Sequence, residues 1–252
     1  MRHRPSISTT ALALALAASG LCVSPASAQT TSPDFLFGKP RGSVGLRSGW
    51  VFASARSDLF TFVQDQLTVA RKDFNAPAVG FDVDLTITPR ASVVAGFDFS
   101  KTSKDSEYRN FVDNRRLPIN QTTSLREMYF SGSFKFALTP RGREISRRAW
   151  IPAAVTPYVG AGGGVLSYQF LQFGDFIDVE DFDVFPETYR SSGLAPAGHV
   201  FGGVDVRVWK RLYMSGEGRY LWSKATLDRD FSGFDPIDLA GFKLSGGVHY
   251  MF

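Results

Sequence analysis

From residue 81 to residue 100 apolar and polar side chains alternate with a period of two. Phe81, Val83, Leu85 and Ile87 interleave with Asp82, Asp84, Thr86 and Thr88, the two residues Pro89-Arg90 follow, and Val93, Ala95, Phe97 and Phe99 then interleave with Val94, Gly96, Asp98 and Ser100. Successive side chains of a strand point to opposite faces, so each run has one apolar and one polar face, and the pair predicts a hairpin. The same period marks 43–53, with Val44, Leu46, Trp50 and Phe52 against Arg47. It marks 125–138, with Met128, Phe130, Phe134, Phe136 and Leu138 against Glu127, Tyr129, Ser131, Ser133 and Lys135. It continues in 157–170 and in 197–209, where Val200, Val204, Val206 and Val208 oppose Asp205 and Arg207. After Lys210-Arg211 it resumes in 212–223, where Leu212, Met214, Tyr220 and Trp222 oppose Ser215, Glu217 and Arg219. The last run, 239–252, sets Phe242, Leu244, Val248, Tyr250 and Phe252 against Lys243, Ser245 and His249. With 78–88 and 91–100, these make eight predicted strands.

The segments between them alternate in length. Long links (54–77, 101–124, 171–196 and 224–238) alternate with the two-residue turns Pro89-Arg90 and Lys210-Arg211, and only the middle turn, 140–156, departs by being long. Strands with long loops at one end and short turns at the other are the pattern of an up-and-down barrel that spans a membrane. The expected fold is therefore all-β, an eight-stranded antiparallel up-and-down transmembrane β-barrel. A helical membrane protein is excluded: the longest uncharged stretch, 149–174, contains Gly160, Gly162, Gly163 and Gly164 as well as Pro152 and Pro157, which break helices.

Alternation alone does not say which face lies inside, so a soluble lipocalin-type barrel is the competing architecture. Face chemistry separates the two. One face is almost entirely Val, Leu, Phe, Gly and Ala. The other carries Arg47, Asp82, Asp84, Asp98, Glu127, Lys135, Asp205, Arg207, Glu217, Arg219 and Lys243, acids and bases that can pair with one another in a narrow lumen. Trp50, Phe52, Tyr158, Tyr220, Trp222, Tyr250 and Phe252 fall near strand ends of the apolar face, where a membrane barrel places aromatic girdles. The membrane reading is preferred.

The N-terminus supports export. Arg2 and Arg4 precede an apolar run from Ala11 to Val23, then Pro25 and Ala26-Ser27-Ala28, which predicts a signal peptide over 1–28 cleaved after Ala28. A lipoprotein signal at Cys22 is disfavoured because Leu21 stands before it. The expected organisation is signal peptide 1–28, a periplasmic N-terminal segment 29–40 and the barrel 41–252. Losing Arg2 and Arg4 reduces the 28 basic residues to 26 against 24 acids, a net charge of +2, which gives no case for nucleic-acid binding. Cys22 is the only cysteine, so the mature chain has no thiol chemistry.

With the alternating tail Leu244, Gly246, Val248, Tyr250 and terminal Phe252, and the glycine-rich 156–166 stretch, the chain resembles the small eight-stranded outer-membrane barrels, the broad family that includes the OmpA transmembrane domain, OmpW and the opacity-type proteins. The resemblance covers 41–252. It implies the outer membrane of a Gram-negative bacterium, contact with outer-membrane lipids and lipopolysaccharide, and a tail (Leu244, Val248, Tyr250 and Phe252) read by the barrel-insertion machinery. The basic turn after the fourth strand and the lack of a C-terminal peptidoglycan-binding domain depart from the OmpA pattern, so a tethering role is not expected.

Some barrels of this family are lipid A deacylases with a His and a Ser two residues apart on a strand. Here His199 is followed by Val200-Phe201 and His249 by Tyr250-Met251, and Ser245 is about 13 Å from His249 along the strand. No catalytic residue, cofactor site or metal site is expected. The acidic segment 171–194, with Asp175, Asp178, Glu180, Asp181, Asp183 and Glu187 against Arg190, lacks the glycine turn of a calcium loop and reads as solvated surface. Its Phe170, Phe173, Phe176, Phe182, Phe185 and Tyr189 predict packing onto the barrel mouth. Arg141, Arg143, Arg147 and Arg148, against Glu144 and followed by Trp150, fit either phospholipid contact or a solvated turn. Ser57 and Asp58 ahead of Leu59, Phe60, Phe62, Val63, Leu67 and Val69 predict a short capped amphipathic helix acting as plug or lid. The expected function is a monomeric, non-enzymatic scaffold with a closed charged lumen. The alternative is an OmpW-like passage or binding protein for a small hydrophobic molecule.

Overall fold

A computed structural model describes residues 35–113, 115–146, 149–178 and 183–252. The predicted leader with Ala28, and Arg147, Arg148, Glu180, Asp181 and Phe182, lie outside the described residues. In chain order the elements are β1 (Leu36–Phe37), β2 (Gly42–Ala53), α1 (Asp58–Gln66), β3 (Ala76–Thr86), β4 (Ala91–Val112), β5 (Pro118–Ala137), β6 (Gly142–Ser146), β7 (Ala149–Pro152), β8 (Val155–Ile177), β9 (Val184–Trp209), β10 (Leu212–Ala225), β11 (Ile237–Asp238) and β12 (Gly241–Met251). Strands β2, β3, β4, β5, β8, β9, β10 and β12 pair with their chain neighbours, all antiparallel, and β12 pairs back onto β2 to close an eight-stranded ring. Closure leaves the ring without a free edge, so its backbone hydrogen bonds are met internally, as a bilayer core demands.

The predicted strands all form, but four of them run further than alternation suggested. β4, β5, β8 and β9 continue well past the apolar band, so much of the expected second and third loops is hairpin. The reason is visible in the residues: past Phe99 the outward positions become Lys101, Ser103, Asp105 and Glu107, and before Met128 they are Thr122, Ser124 and Arg126. Where both faces meet polar surroundings, the apolar alternation disappears while the hydrogen-bonded ladder continues.

At the loop end α1 lies across the barrel mouth. Leu59, Phe60 and Val63 are buried together with Leu67, Val69, Phe74, Leu125, Leu166, Phe170 and Phe231 in one apolar cluster. The predicted lid helix is present, but its cap differs. The Ser57 hydroxyl makes no capping bond; Asp58 instead accepts hydrogen bonds from the backbone N–H of Leu59 at 2.8 Å and of Asp235 at 2.8 Å, tying the helix to the last loop. Phe170 and Phe176 pack inward as expected of the third loop, whereas Phe173 stays exposed on the outer face.

At the turn end the long middle turn is not irregular. β6 and β7 form a hairpin that pairs with the N-terminal segment, Leu36 opposite Trp150 and Phe37 opposite Ala149, giving a small three-stranded sheet with Leu36 and Trp150 buried.

Candidate functional site

The inward-facing positions of the ring build the lumen site. From β2, Arg47 reaches three carboxylates: Nε lies 3.1 Å from Asp82, Nη2 3.3 Å from Asp98 and Nη1 3.0 Å from Glu217. From β10, Arg219 contacts Glu217 at 3.0 Å and Asp98 at 3.2 Å, and Lys243 on β12 completes the cluster on Asp98. A second tier lies toward the turn end. Lys135 sits 2.9 Å from Asp205 and 3.8 Å from Asp84, with its ammonium 3.8 Å above the Tyr158 ring. The Tyr158 hydroxyl donates to Glu217 at 3.2 Å and so links the tiers.

Three expectations about this network change. Tyr158 belongs to the lumen and not to the aromatic girdle: in β8 the even positions Thr156 and Tyr158 point inward while Pro157 and Val159 point outward, and Tyr158 is only 3% exposed. Glu127 forms no ion pair among the described residues; its carboxylate accepts one hydrogen bond, from Ser100 at 3.2 Å. It lines, with Arg219 and Lys243, a cavity of about 50 Å³ above the network. Arg207 is half-exposed at the turn rim, two residues beyond Asp205, and is not among the partners of Glu217.

The residue that sequence reasoning missed is Arg141. Sequence places it in the basic turn, solvated or lipid-facing, yet the β6–β7 hairpin sends its guanidinium up into the barrel, where it meets Asp84 at 3.3 Å and donates to Ser92 at 2.7 Å. The ion pairs described above join Asp82, Asp84, Asp98, Asp205 and Glu217 to Arg47, Lys135, Arg141, Arg219 and Lys243, five acids and five bases. Formal charge then balances inside the lumen, which is what makes burying so many ions tolerable. The imbalance of acids over bases in the predicted inward set was the available signal that a base was missing.

His199 and His249, the histidines among the described residues, lie inside the barrel. His249 Nε2 is 2.8 Å from the Ser215 hydroxyl and Nδ1 is 3.4 Å from Asp82. Sequence spacing along one strand missed this Ser–His–Asp order because Ser215 approaches across the β10–β12 pairing. Gly45, where a Cβ would overlap the imidazole, lets the ring lie flat against β2. His199 similarly bridges Ser133 at 2.9 Å and Tyr129 at 2.7 Å. Nucleophilic catalysis needs room for a substrate beside the hydroxyl. Ser215 and His249 are both buried, and a Cβ added at Gly247 would meet both the Ser215 hydroxyl and the Arg47 side chain.

The outer surface is the reverse of the lumen. Leu46, Phe81, Leu85, Phe130, Phe134, Val165, Val200, Met214, Leu244 and Val248 are all exposed, and they come from every strand of the ring except β4, which adds Val93. Phe52 stacks on Phe242 with centroids 6.5 Å apart, and Tyr220 lies against Trp222 at 5.0 Å near the loop side of this belt, while Tyr250 and Phe252 mark its turn side. From Phe242 to Tyr250 is about 27 Å along the strand at about 3.4 Å per residue, the height of a hydrocarbon core once tilt is allowed for. Water does not tolerate such a continuous apolar belt around a charged interior; lipid does. The chain is a transmembrane β-barrel.

It matches no family model and no curated protein sequence. Its fold is similar to that of Neisserial surface protein A, at 12% identity over 87% of this chain and 97% of that one with a TM-score of 0.46. It is similar likewise to the outer membrane protein OprG from Pseudomonas aeruginosa, at 12% identity over 86% and 99% with a TM-score of 0.46. A third likeness is to Ail, the attachment invasion locus protein of Yersinia pestis, at 10% identity over 83% and 99% with a TM-score of 0.41. Among the described residues no group of three or more His, Cys, Asp or Glu side chains is placed to hold a metal ion.

Proposed function

We propose that this barrel is a monomeric, non-catalytic scaffold of the outer membrane whose lumen is closed, leaving the loop end as its working surface. The observation that carries this reading is the two-tiered network from Arg47 to Arg141, which crosses the lumen with its charges paired. Above it, the apolar cluster under α1 fills the mouth. An eight-stranded ring encloses an interior that side chains can just fill. A hydrophobic solute on the alternative passage route would have to break ion pairs and expose unpaired charges to an apolar molecule. Reconstituted in planar bilayers, the protein is expected to give no steady single-channel current in molar salt. A sustained conductance that admits organic solutes would overturn the closed-lumen reading in favour of passage.

Contact with lipopolysaccharide is part of the same proposal. Lys101 and Arg126 lie directly opposite each other in the β4–β5 register and face outward just beyond Phe99 and Met128. Like charges across a strand pair repel unless anions lie between them, and lipid phosphates sit at that depth. The insertion signal is proposed on the tail. Phe252 donates its N–H to Gly42 and accepts from Arg41, so it ends the closing strand pair. Deleting Phe252 is expected to lower the folded barrel recovered from outer membranes several-fold while periplasmic export continues; unchanged recovery would remove the tail from the argument.

A further inference from the structure

A cleft of about 220 Å³ opens at the loop end, apart from the lumen network, and its walls come from α1, the loop-end parts of β4 and β5, the β8–β9 hairpin and the last loop. One side is the Phe62–Phe234 pair, with ring centroids 5.4 Å apart at 63°. On the other, Phe176 meets the edge of Tyr189 at 4.6 Å and 86° and lies 6.4 Å from Phe185. Rings tilted steeply to one another around an opening present both faces and edges to whatever enters. Asp230 is the sole charged side chain among the lining residues. One of its oxygens accepts the Arg190 backbone N–H at 2.9 Å, and among the described residues the other has no hydrogen-bond partner. The carboxylates of Asp230 and Glu187 lie close enough to Tyr189 to raise its hydroxyl pKa beyond the effect of burial alone.

We propose that this cleft binds a small organic cation with apolar substituents on nitrogen, such as a quaternary ammonium group. The electron-rich faces of several rings attract a cation, and the second carboxylate oxygen of Asp230 supplies the countercharge. Two competing ligand classes fit less well. A sugar would need several unspent amides around it, but Gln121 Nε2 is already committed to the Tyr108 hydroxyl at 3.1 Å and the Asp175 carbonyl at 3.0 Å, and Gln172 donates to Thr123, which leaves Gln66 as the one uncommitted amide among the described lining residues. A neutral apolar molecule would desolvate Asp230 without compensation. Charge around the cleft agrees: the described segments 171–178, 183–194 and 224–240, which supply most of the lining, carry eight acidic and three basic residues. The volume also suffices, since an apolar cavity of about 150 Å³ already takes up benzene.

The proposal does not depend on the closed lumen, and its test is separate. The mature barrel, refolded in non-ionic detergent, is titrated with choline, with the uncharged isostere 3,3-dimethylbutan-1-ol, and with glucose, and saturable binding is followed by ligand-observed NMR. Choline is expected to bind about tenfold or more tightly than the neutral isostere. Asp230→Asn, which keeps an acceptor for the Arg190 N–H, and Tyr189→Leu are each expected to weaken choline binding at least several-fold with the unfolding midpoint unchanged. If Tyr189→Leu does not fold, Phe185→Leu takes its place. Equal binding of choline and the isostere, glucose binding without choline binding, no saturable choline binding, or full choline affinity in Asp230→Asn would each overturn the assignment.

Discussion

Replacing Glu217 by alanine is expected to lower the unfolding free energy of the barrel by about 3–5 kcal/mol, the cost of leaving a buried ion without its partner. Glu217 accepts from Arg47 at 3.0 Å, from Arg219 at 3.0 Å and from the Tyr158 hydroxyl at 3.2 Å, and it is 6% exposed. Its loss turns a balanced set of five acids and five bases into one with an unmatched positive charge, and it deprives Tyr158 of its acceptor. The lower end of the range is expected, because Arg47 keeps Asp82 and Asp98, and Arg219 keeps Asp98. The measurement is urea unfolding of the refolded barrel in phospholipid vesicles, with Glu217→Gln as the milder change. A Glu217→Ala midpoint equal to that of the parent would mean the lumen is wet enough to solvate Arg47 and Arg219, and the plugged scaffold would lose its physical basis.

The ring itself was legible because each membrane-level strand puts chemistry of opposite sign on its two faces, and because Pro89-Arg90 and Lys210-Arg211 leave room for nothing but a tight turn. The charged lumen followed from the same alternation. What escaped is long-range. Arg141 lies on a hairpin outside the ring, and no periodicity says that the hairpin folds back under the barrel and inserts a side chain. Tyr158 was assigned to the wrong face because the Thr156-Pro157-Tyr158 start of β8 offers a hydroxyl, a ring and an aromatic, with no charge to mark the inward side. Gly160 settles it in three dimensions: the Phe201 ring occupies the space a Cβ at Gly160 would need, so both face inward. The Ser215–His249 contact depends on register between strands, which a search along one strand cannot see. Alternation reads the loop-end hairpins as loops because their outer faces are wet, and the aromatic cleft beside α1 is assembled from α1, β4, β5, the β8–β9 hairpin and the last loop, whose proximity no local pattern records.

Val204→Arg is expected to destabilise the barrel in lipid by about 2–4 kcal/mol. Val204 points outward from β9, and its register neighbour Gly216 in turn faces Gly246, which lies midway between Phe242 and Tyr250 on β12. That places the substitution near the middle of the apolar belt, where a guanidinium must either drag water into hydrocarbon or stretch to reach an interface. Val208 faces the same way from the same strand but lies beside the Lys210-Arg211 turn and is 57% exposed, so Val208→Arg is expected to cost only about 0–1 kcal/mol. The contrast between the two is the decisive quantity. A soluble barrel with this face in water would accept either arginine at no cost, and a barrel whose outer belt merely packed against another protein would have no reason to grade the penalty with distance from the turn. Unfolding in vesicles of graded acyl-chain length adds a second axis: a thicker hydrocarbon core moves the rim position deeper, so the penalty at Val208 should grow with chain length while the penalty at Val204 changes little. Equal penalties at both positions, insensitive to lipid thickness, would mean that something other than a bilayer covers the belt.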